Sequence, residues 1–491
     1  LSQPNIILVT LDTMRADRLG AERHGRPLTP NMSQLAGEGR VFTGAVAAGV
    51  PTYFGFPPLF RGGGALDGGK VIGIAPGRTT FVEELSRLGY GTAAVVASNP
   101  YLSHYYRFDS GFDVFEDFYA SKLEGRRKRE QRRSMRAVRR VAGDTVTARL
   151  KRGKTRFNCL RECAREGNPA LHAASRGEKV TERALELIGE ARGKGPFFLW
   201  LHYMDVHGYF YSTQADRRAA FGATTPLDDA VIRWRRYQYV ERWTAQVLRS
   251  QEEPPGRGVE HSERDKTYLT GFYDASVMYA DRALRPLFDW MRADGNTLGI
   301  VTADHGEQFY DHGKIGHAPI SIYEEVARVP LIVYGPGVER GEVGEWISHS
   351  AVPAGIASAA GLGGDTFGDA SGLLEGTPPA GPVFTEALYG VRAPFPRKRF
   401  DEHGLLVAAR EGSHKYIWRE EDGAEQLFDL SCDPGETESL IGREEAAGAE
   451  EHLRAAVRQR AREIGVADAR AKLTDRVRRL GRSMGLVEEA G

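Results

Sequence analysis

Short apolar runs recur along this chain, and several of them stop at residues that carry chemistry. Asn5-Ile6-Ile7-Leu8-Val9-Thr10-Leu11 stops at Asp12, and residues 90–97 lead to Asn99. Residues 196–201 lead to His207, and residues 297–301 lead to Asp304 and His305. Runs that are apolar throughout, rather than alternating, read as strands buried on both faces, the habit of parallel sheets. Between them the spacing turns helical. Thr29 and Pro30 start a short helix through Leu35, with Thr29 as N-cap and Pro30 at the first helical position. Residues 81–88 and 178–191 read as further helices, as does 265–292, where Phe272, Val277, Leu284, Leu287 and Phe288 recur at helical spacing. Residues 39–47 and 330–334 add short strands, the latter after a helix-like turn over 322–329, and 111–116 reads as a turn with buried aromatics. Strands alternating with helices predict an α/β fold: a mostly parallel sheet flanked by helices, with ligands gathered at the carboxyl ends of its strands.

From about Gly376 the pattern changes. Residues 382–387, 404–410, 415–419 and 425–429 are short strands separated by turn residues, which predicts a small antiparallel sheet. Residues 443–491 read as charged helix, docked through Leu453, Val457, Ile464, Leu473, Val477 and Leu480. The chain is therefore expected to divide into a catalytic α/β unit, 1–375, and a smaller α+β unit, 376–491. A basic, helical insertion containing Arg126, Arg127, Arg132, Arg133 and Arg136 is expected over about 120–175.

Composition adds limits more than identity. Of 491 residues 41% are hydrophobic, enough for a large core, and Lys+Arg equals Asp+Glu at 66 each, so only the placement of charge points to a partner. The insertion predicts peripheral contact with an anionic membrane surface. It lacks interleaved aromatics for base stacking, so no nucleic acid is expected. The three cysteines, Cys159, Cys163 and Cys432, have no metal-knuckle spacing, which favours a reducing, cytoplasmic setting.

The densest chemistry lies between Asp304 and His317, where three His, two Asp, one Glu and one Lys fall within fourteen residues. That is too many for an ordinary solvated loop. Asp304 and His305 put a carboxylate and an imidazole on one turn, and Asp12 reaches the same sheet edge, so the three are candidate ligands of one divalent ion, Mn, Zn, Mg or Ca. Thr52 stands where a turn feeds a helix. Beside a proline it reads as a helix cap; beside a metal it reads as a hydroxyl made nucleophilic. Lys314, His317 and Asn99 are candidates to hold the oxygens of a tetrahedral anionic ester as charge develops. His207, with an ordinary pKa of about 6.5, is the candidate to protonate or hold the leaving group.

Taken together, these blocks resemble a sulfatase-type member of the alkaline phosphatase superfamily over nearly the whole chain. Val9-Thr10-Leu11-Asp12-Thr13-Met14-Arg15-Ala16-Asp17-Arg18-Leu19-Gly20 is similar to the family's opening block, and Leu28-Thr29-Pro30-Asn31 to the next. Residues 200–208, 273–281, 303–306 and 323–337 resemble further blocks, and 415–417 with 427–436 the C-terminal part. The resemblance implies one metal held by Asp12, Thr52, Asp304 and His305. It also places Thr52 at the nucleophile, where sulfatases carry Cys or Ser followed by Pro two places on and Arg four places on. Here those places hold Phe54 and Phe56, and none of the cysteines is followed by that signature, so formylglycine is not expected. Thr at this place is similar to phosphodiesterase, phosphonate hydrolase and phosphoglycerol transferase relatives. The expected activity is hydrolysis or transfer of a phosphate or phosphonate ester through a covalent Thr52 intermediate, on a substrate that the basic insertion suggests is lipid-linked. The alternatives are sulfate-ester hydrolysis without formylglycine and a catalytically inactive binding protein.

Overall fold

The computed structural model describes residues 3–75, 77–117, 176–207, 212–232, 234–236, 262–317, 321–363, 367–369, 371–389 and 403–483. The predicted insertion, with Arg126, Arg127, Arg132, Arg133, Arg136, Cys159 and Cys163, lies outside them. An eight-stranded sheet forms the frame. In chain order its strands are β1 (Asn5–Leu11), β2 (Arg40–Phe42), β3 (Gly91–Val96) and β4 (Val114–Asp117). They continue with β5 (Phe197–Tyr203), β6 (Thr297–Ala303), β7 (Leu331–Tyr334) and β8 (Gly341–Val343). Across the sheet the order is β8-β2-β7-β6-β1-β5-β3-β4. Only β7 runs against the rest, pairing antiparallel with both β6 and β2. The sheet is therefore mixed but mostly parallel, and β5 and β6 are buried at every position, as their continuous apolar runs require.

Helices flank this sheet. The 32-residue helix Glu263–Asp294 packs with Pro30–Glu38 and Gly177–Ala191, while Thr52–Arg61, Phe81–Arg87 and Val352–Ala359 pack with one another. Local signals set several helix starts. Ser262 and Thr80 each close a capping box with the acid three residues on. Thr29 is the N-cap residue expected of it, yet its hydroxyl makes no cap bond and accepts Gly20 N–H instead at 2.9 Å.

Three local expectations change. Residues 39–47 split into Arg40–Phe42 and Ala45–Val46 around Gly44, where a Cβ would sit 2.5 Å from the Glu345 carbonyl. The segment expected as a turn at 111–116 enters the sheet as β4, with the Phe112 ring against Phe198 and Trp200 and the Phe115 ring against Trp200. The strand read as 196–201 continues to Tyr203, which takes His202 into the interior.

The C-terminal sheet is antiparallel in the order β9 (Val383–Leu388), β10 (Leu405–Glu411), β11 (His414–Arg419), β12 (Glu425–Asp429). The helix Ala447–Ser483 covers it through Leu453, Val457 and Ile464, all buried. Leu473, expected in the same stripe, is 63% exposed, because a helix of 37 residues is roughly 55 Å long and outruns a four-stranded sheet. The two sheets are tied where they meet. Lys415 Nζ lies 2.7 Å from Glu324 and 2.7 Å from Glu436, and Arg410 Nε lies 2.7 Å from the same Glu324 oxygen. Backbone bonds from Glu386 N–H to Ala48 and from Val50 N–H to Glu386 fix the turn leading to Thr52. Among the described residues no helix is long and apolar enough to cross a membrane.

Asp205, just past β5, accepts Gly177 N–H at 3.0 Å and so anchors the start of the helix Gly177–Ala191. Burial raises its carboxyl pKa from 3.8 to about 7, against the pull of its backbone hydrogen bonds. A folded value above the unfolded one gives stability that is present below about pH 4 and is lost as the pH rises through about 7. Asp205→Asn should therefore raise the Tm relative to wild type by about 2 °C or more at pH 8, with a much smaller gain at pH 4.5. Thermal melts at the two pH values check this.

Candidate active site

β1 and β6 are parallel neighbours with Leu11 opposite Ala303, so the residues that follow, Asp12 and Asp304, leave the sheet side by side. Both are fully buried, as is His305. One ligand atom from each of these three residues lies within 4.8 Å of the others. Hydrogen bonds fix the unused sides of each group. Asp304 Oδ1 accepts Thr13 N–H at 3.2 Å and His305 N–H at 3.0 Å, and Asp12 Oδ2 accepts the Asn99 amide at 2.9 Å. Asp12 Oδ1 and Asp304 Oδ2 have no hydrogen-bond partner. His305 Nδ1 donates to the Gly306 carbonyl at 2.8 Å, which leaves the Nε2 lone pair facing Thr52 Oγ1 at 3.3 Å and Asp304 Oδ2 at 3.5 Å.

Two buried carboxylate oxygens without donors and one imidazole lone pair are a donor set for a divalent cation. The electrostatics agree. Burial lowers the His305 pKa to about 3, so the ring is neutral. Burial and then the Asp12 charge push Asp304 well above the usual carboxylate range. For Asp12 burial also acts upward, but His207 and His202 outweigh it and hold the group low. Two negative charges at this spacing oppose each other unless a cation lies between them. Thr13 is bent to serve the same cluster. Its φ of +62° is rare for a β-branched residue, and it aims the Thr13 N–H at Asp304 while the Thr13 carbonyl accepts Tyr273 Oη–H.

Thr52 is the first residue of the helix Thr52–Arg61, is 4% exposed, and does not cap it; Pro51 holds the N-cap position and no side-chain cap bond forms. The capping reading therefore fails, and the Thr52 hydroxyl turns to His305. Gly55 permits this approach, since a Cβ there would come within 2.7 Å of the Asp304 carbonyl oxygen. Phe56, four places past Thr52, is buried edge-on against the His202 ring, with centroids 5.0 Å apart.

The remaining candidates separate. His317 lies at the end of a hairpin formed by Gln308–Phe309 and Ile315–Gly316, with its ring centroid 4.6 Å from that of His305 and 5.0 Å from that of His207. Its Nδ1 is 3.2 Å from Glu307 Oε2. Burial acts to lower the His317 pKa, but the Glu307 charge and hydrogen bond raise it to about 9. Burial lowers that of His207. Lys314 sits in the hairpin turn, where its carbonyl accepts Tyr310 N–H; it is His317 that packs on His305. The first contact of the Asn99 amide is with Asp12, and its Oδ1 accepts Tyr101 N–H at 3.0 Å. Sequence reading gave no role to Thr13, His202 or Glu307. The signal available for His202 is an imidazole inside an otherwise apolar strand run, Phe197-Phe198-Leu199-Trp200-Leu201-His202-Tyr203.

Comparison with known proteins gives the family. The family model described as Sulfatase matches residues 4–362. This chain belongs to the sulfatase family. The sulfatase-family chain is 31% identical over 177 residues to a choline-sulfatase of Rhizobium meliloti (strain 1021), a match spanning 34% of this chain and 32% of the relative. It is 23% identical over 503 residues to an arylsulfatase of Clostridium perfringens (strain 13 / Type A), covering 92% of this chain and 93% of the relative. Among solved structures, the phosphonate monoester hydrolase of Agrobacterium radiobacter shares the fold with a TM-score of 0.61, at 18% identity over 94% of this chain and 96% of that one.

The buried donor set predicts linkage between metal and folding. Adding Mn²⁺ to chelator-treated protein, to about a hundredfold excess over its Kd, should raise the Tm by about 3 °C. Asp304→Ala should abolish that gain. Differential scanning calorimetry with and without the ion checks both.

Proposed function

We propose that this sulfatase-family protein is a metal-dependent hydrolase or transferase of phosphate or phosphonate esters that works through a covalent ester of Thr52. The observation that carries the reading is the Thr52 hydroxyl, buried at the start of a helix and 3.3 Å from His305 Nε2; the sequence resemblance is what implies a nucleophile at this residue. The likeness to the phosphonate monoester hydrolase supports it at the level of fold. So does a relative named as a multifunctional alkaline phosphatase superfamily protein, from Trinickia caryophylli, 29% identical over 188 residues.

Asp12, Thr52, Asp304 and His305 would hold one divalent ion, which lowers the pKa of a coordinated hydroxyl and neutralises charge on an ester oxygen. Thr52 Oγ1 gives its proton to bulk water as it attacks phosphorus, and the bond to the leaving oxygen breaks as that oxygen takes a proton from His317, which regains one from the water or alcohol of the second step, with His207 beside it. Lys314 and the same imidazoles hold the oxygens on which charge develops. Water, or an acceptor alcohol, then displaces Thr52 from phosphorus and restores its hydroxyl.

A second reading, sulfate-ester hydrolysis by an unmodified Thr52, is favoured by the family match and by the names of the curated relatives. One assay separates the two. The metal-loaded protein should turn over aryl phosphodiesters or aryl phosphonates faster than aryl sulfates, and Thr52→Ala should lower kcat/KM by about 10³-fold or more. Phosphorus-bearing Thr52 should appear in the intact mass of quenched enzyme. Equal rates for Thr52→Ala and wild type reject the covalent mechanism; faster release of sulfate selects the second reading.

A further inference from the structure

Beside Asp12 lies a line of polar groups inside the sheet that the reaction does not use. Thr10 and His202 stand opposite each other on β1 and β5, and both are fully buried together with Trp200. Trp200 Nε1 donates to Thr10 Oγ1 at 3.0 Å. Thr10 Oγ1 lies 3.0 Å from His202 Nδ1 and 3.3 Å from the Leu201 carbonyl. His202 Nε2 lies 3.4 Å from Asp12 Oδ2, a long contact, and makes no shorter hydrogen bond. The edge-on ring of Phe56 and the nearby Trp200 hold the imidazole in place.

The hydrogens in this line are not free to choose. An indole N–H only donates, so Thr10 Oγ accepts from Trp200 and has a single hydrogen of its own to give. If that hydrogen goes to His202 Nδ1, the ring hydrogen sits on Nε2 and faces Asp12. If Nδ1 alone carried the ring hydrogen, the bare Nε2 lone pair would face a carboxylate oxygen in an interior without water, an opposition nothing nearby relieves. A ring with hydrogens on both nitrogens also presents Nε2–H to Asp12. Every arrangement without opposed lone pairs therefore directs Nε2–H at Oδ2.

We propose that His202, aligned by Thr10 and Trp200, is a positioning residue that works with Asn99 to occupy Asp12 Oδ2 and so present Oδ1 to the divalent ion. The inference rests on the reading of Asp12 as a metal ligand. Asn99 and His202 approach the same oxygen, and Oδ1 is the one left with no protein partner. A carboxylate turned by even part of a rotation would offer the ion a poorer angle, and partners behind a ligand commonly change metal affinity by about 10–100-fold.

The test is isothermal titration of the full-length, chelator-treated protein with Mn²⁺. His202→Phe keeps the ring's bulk without a donor and should weaken Mn²⁺ binding about 10–100-fold. His202→Gln places an amide N–H where Nε2 was and should recover most of the loss. Thr10→Val removes the group that fixes the ring hydrogen and should bind Mn²⁺ measurably more weakly than wild type. A purely structural role would lower the Tm of all three metal-free proteins without ordering their Mn²⁺ affinities in this way. Wild-type affinity in folded His202→Phe, or in Thr10→Val should His202→Phe fail to fold, overturns the inference and leaves the metal site standing. Absence of Mn²⁺ binding by the wild type, with Mg²⁺, Ca²⁺ and Zn²⁺ titrated alongside, overturns the metal reading and this inference together.

Discussion

Two acidic side chains excluded from water at the ends of adjacent parallel strands set the terms for everything around them. The register of β1 against β6 leaves Asp12 and Asp304 no choice of neighbour. Their mutual repulsion, added to the cost of burial, is opposed by donors on one oxygen of each and by the cation that their other oxygens suit. A sheet that placed one carboxylate a strand further away would relieve the repulsion and lose the site.

Much of the surrounding structure can be read as support for that pair. Thr13 accepts a left-handed backbone to donate to Asp304. Tyr273, on the long helix, donates to the Thr13 carbonyl and accepts Arg15 N–H, pinning the loop on both sides. The turn before Thr52 is gripped from the C-terminal sheet through Glu386 and from buried His349, whose Nδ1 accepts Ala48 N–H at 3.4 Å. The small sheet thereby bears on the nucleophile candidate, although none of its own side chains belongs to the metal cluster.

The departure from the formylglycine signature has a structural counterpart. With Phe56 four places past Thr52, an aromatic ring closes the interior where the resemblance would have placed an arginine. That ring packs on His202, Trp200 and Phe108. The floor of the site is thus apolar and tightly filled, and the polar line through Thr10 and His202 runs beneath it, sealed from solvent. Cationic character lies instead beside His305, where Glu307 raises the His317 pKa to about 9.

The sequence by itself determined the frame and the candidate metal ligands. Runs such as Asn5–Leu11 and Thr297–Ala303 are apolar throughout because both faces are buried, and the first polar residue after each emerges at the sheet's edge by necessity. Asp12, Asp304 and His305 were legible for that reason. Tertiary structure alone decided what depends on register and on groups distant in the chain. It turned Thr52 from a cap into a partner of His305, 253 positions away. It gave Asn99 to Asp12, and it drew His317 onto His305. It also left Leu473 of the last helix exposed, while the side chains of Val477 and Leu480 lie outside the described residues. Periodicity records which face of an element is buried, whereas the partner of a buried polar atom is fixed only when strands take their places in the sheet.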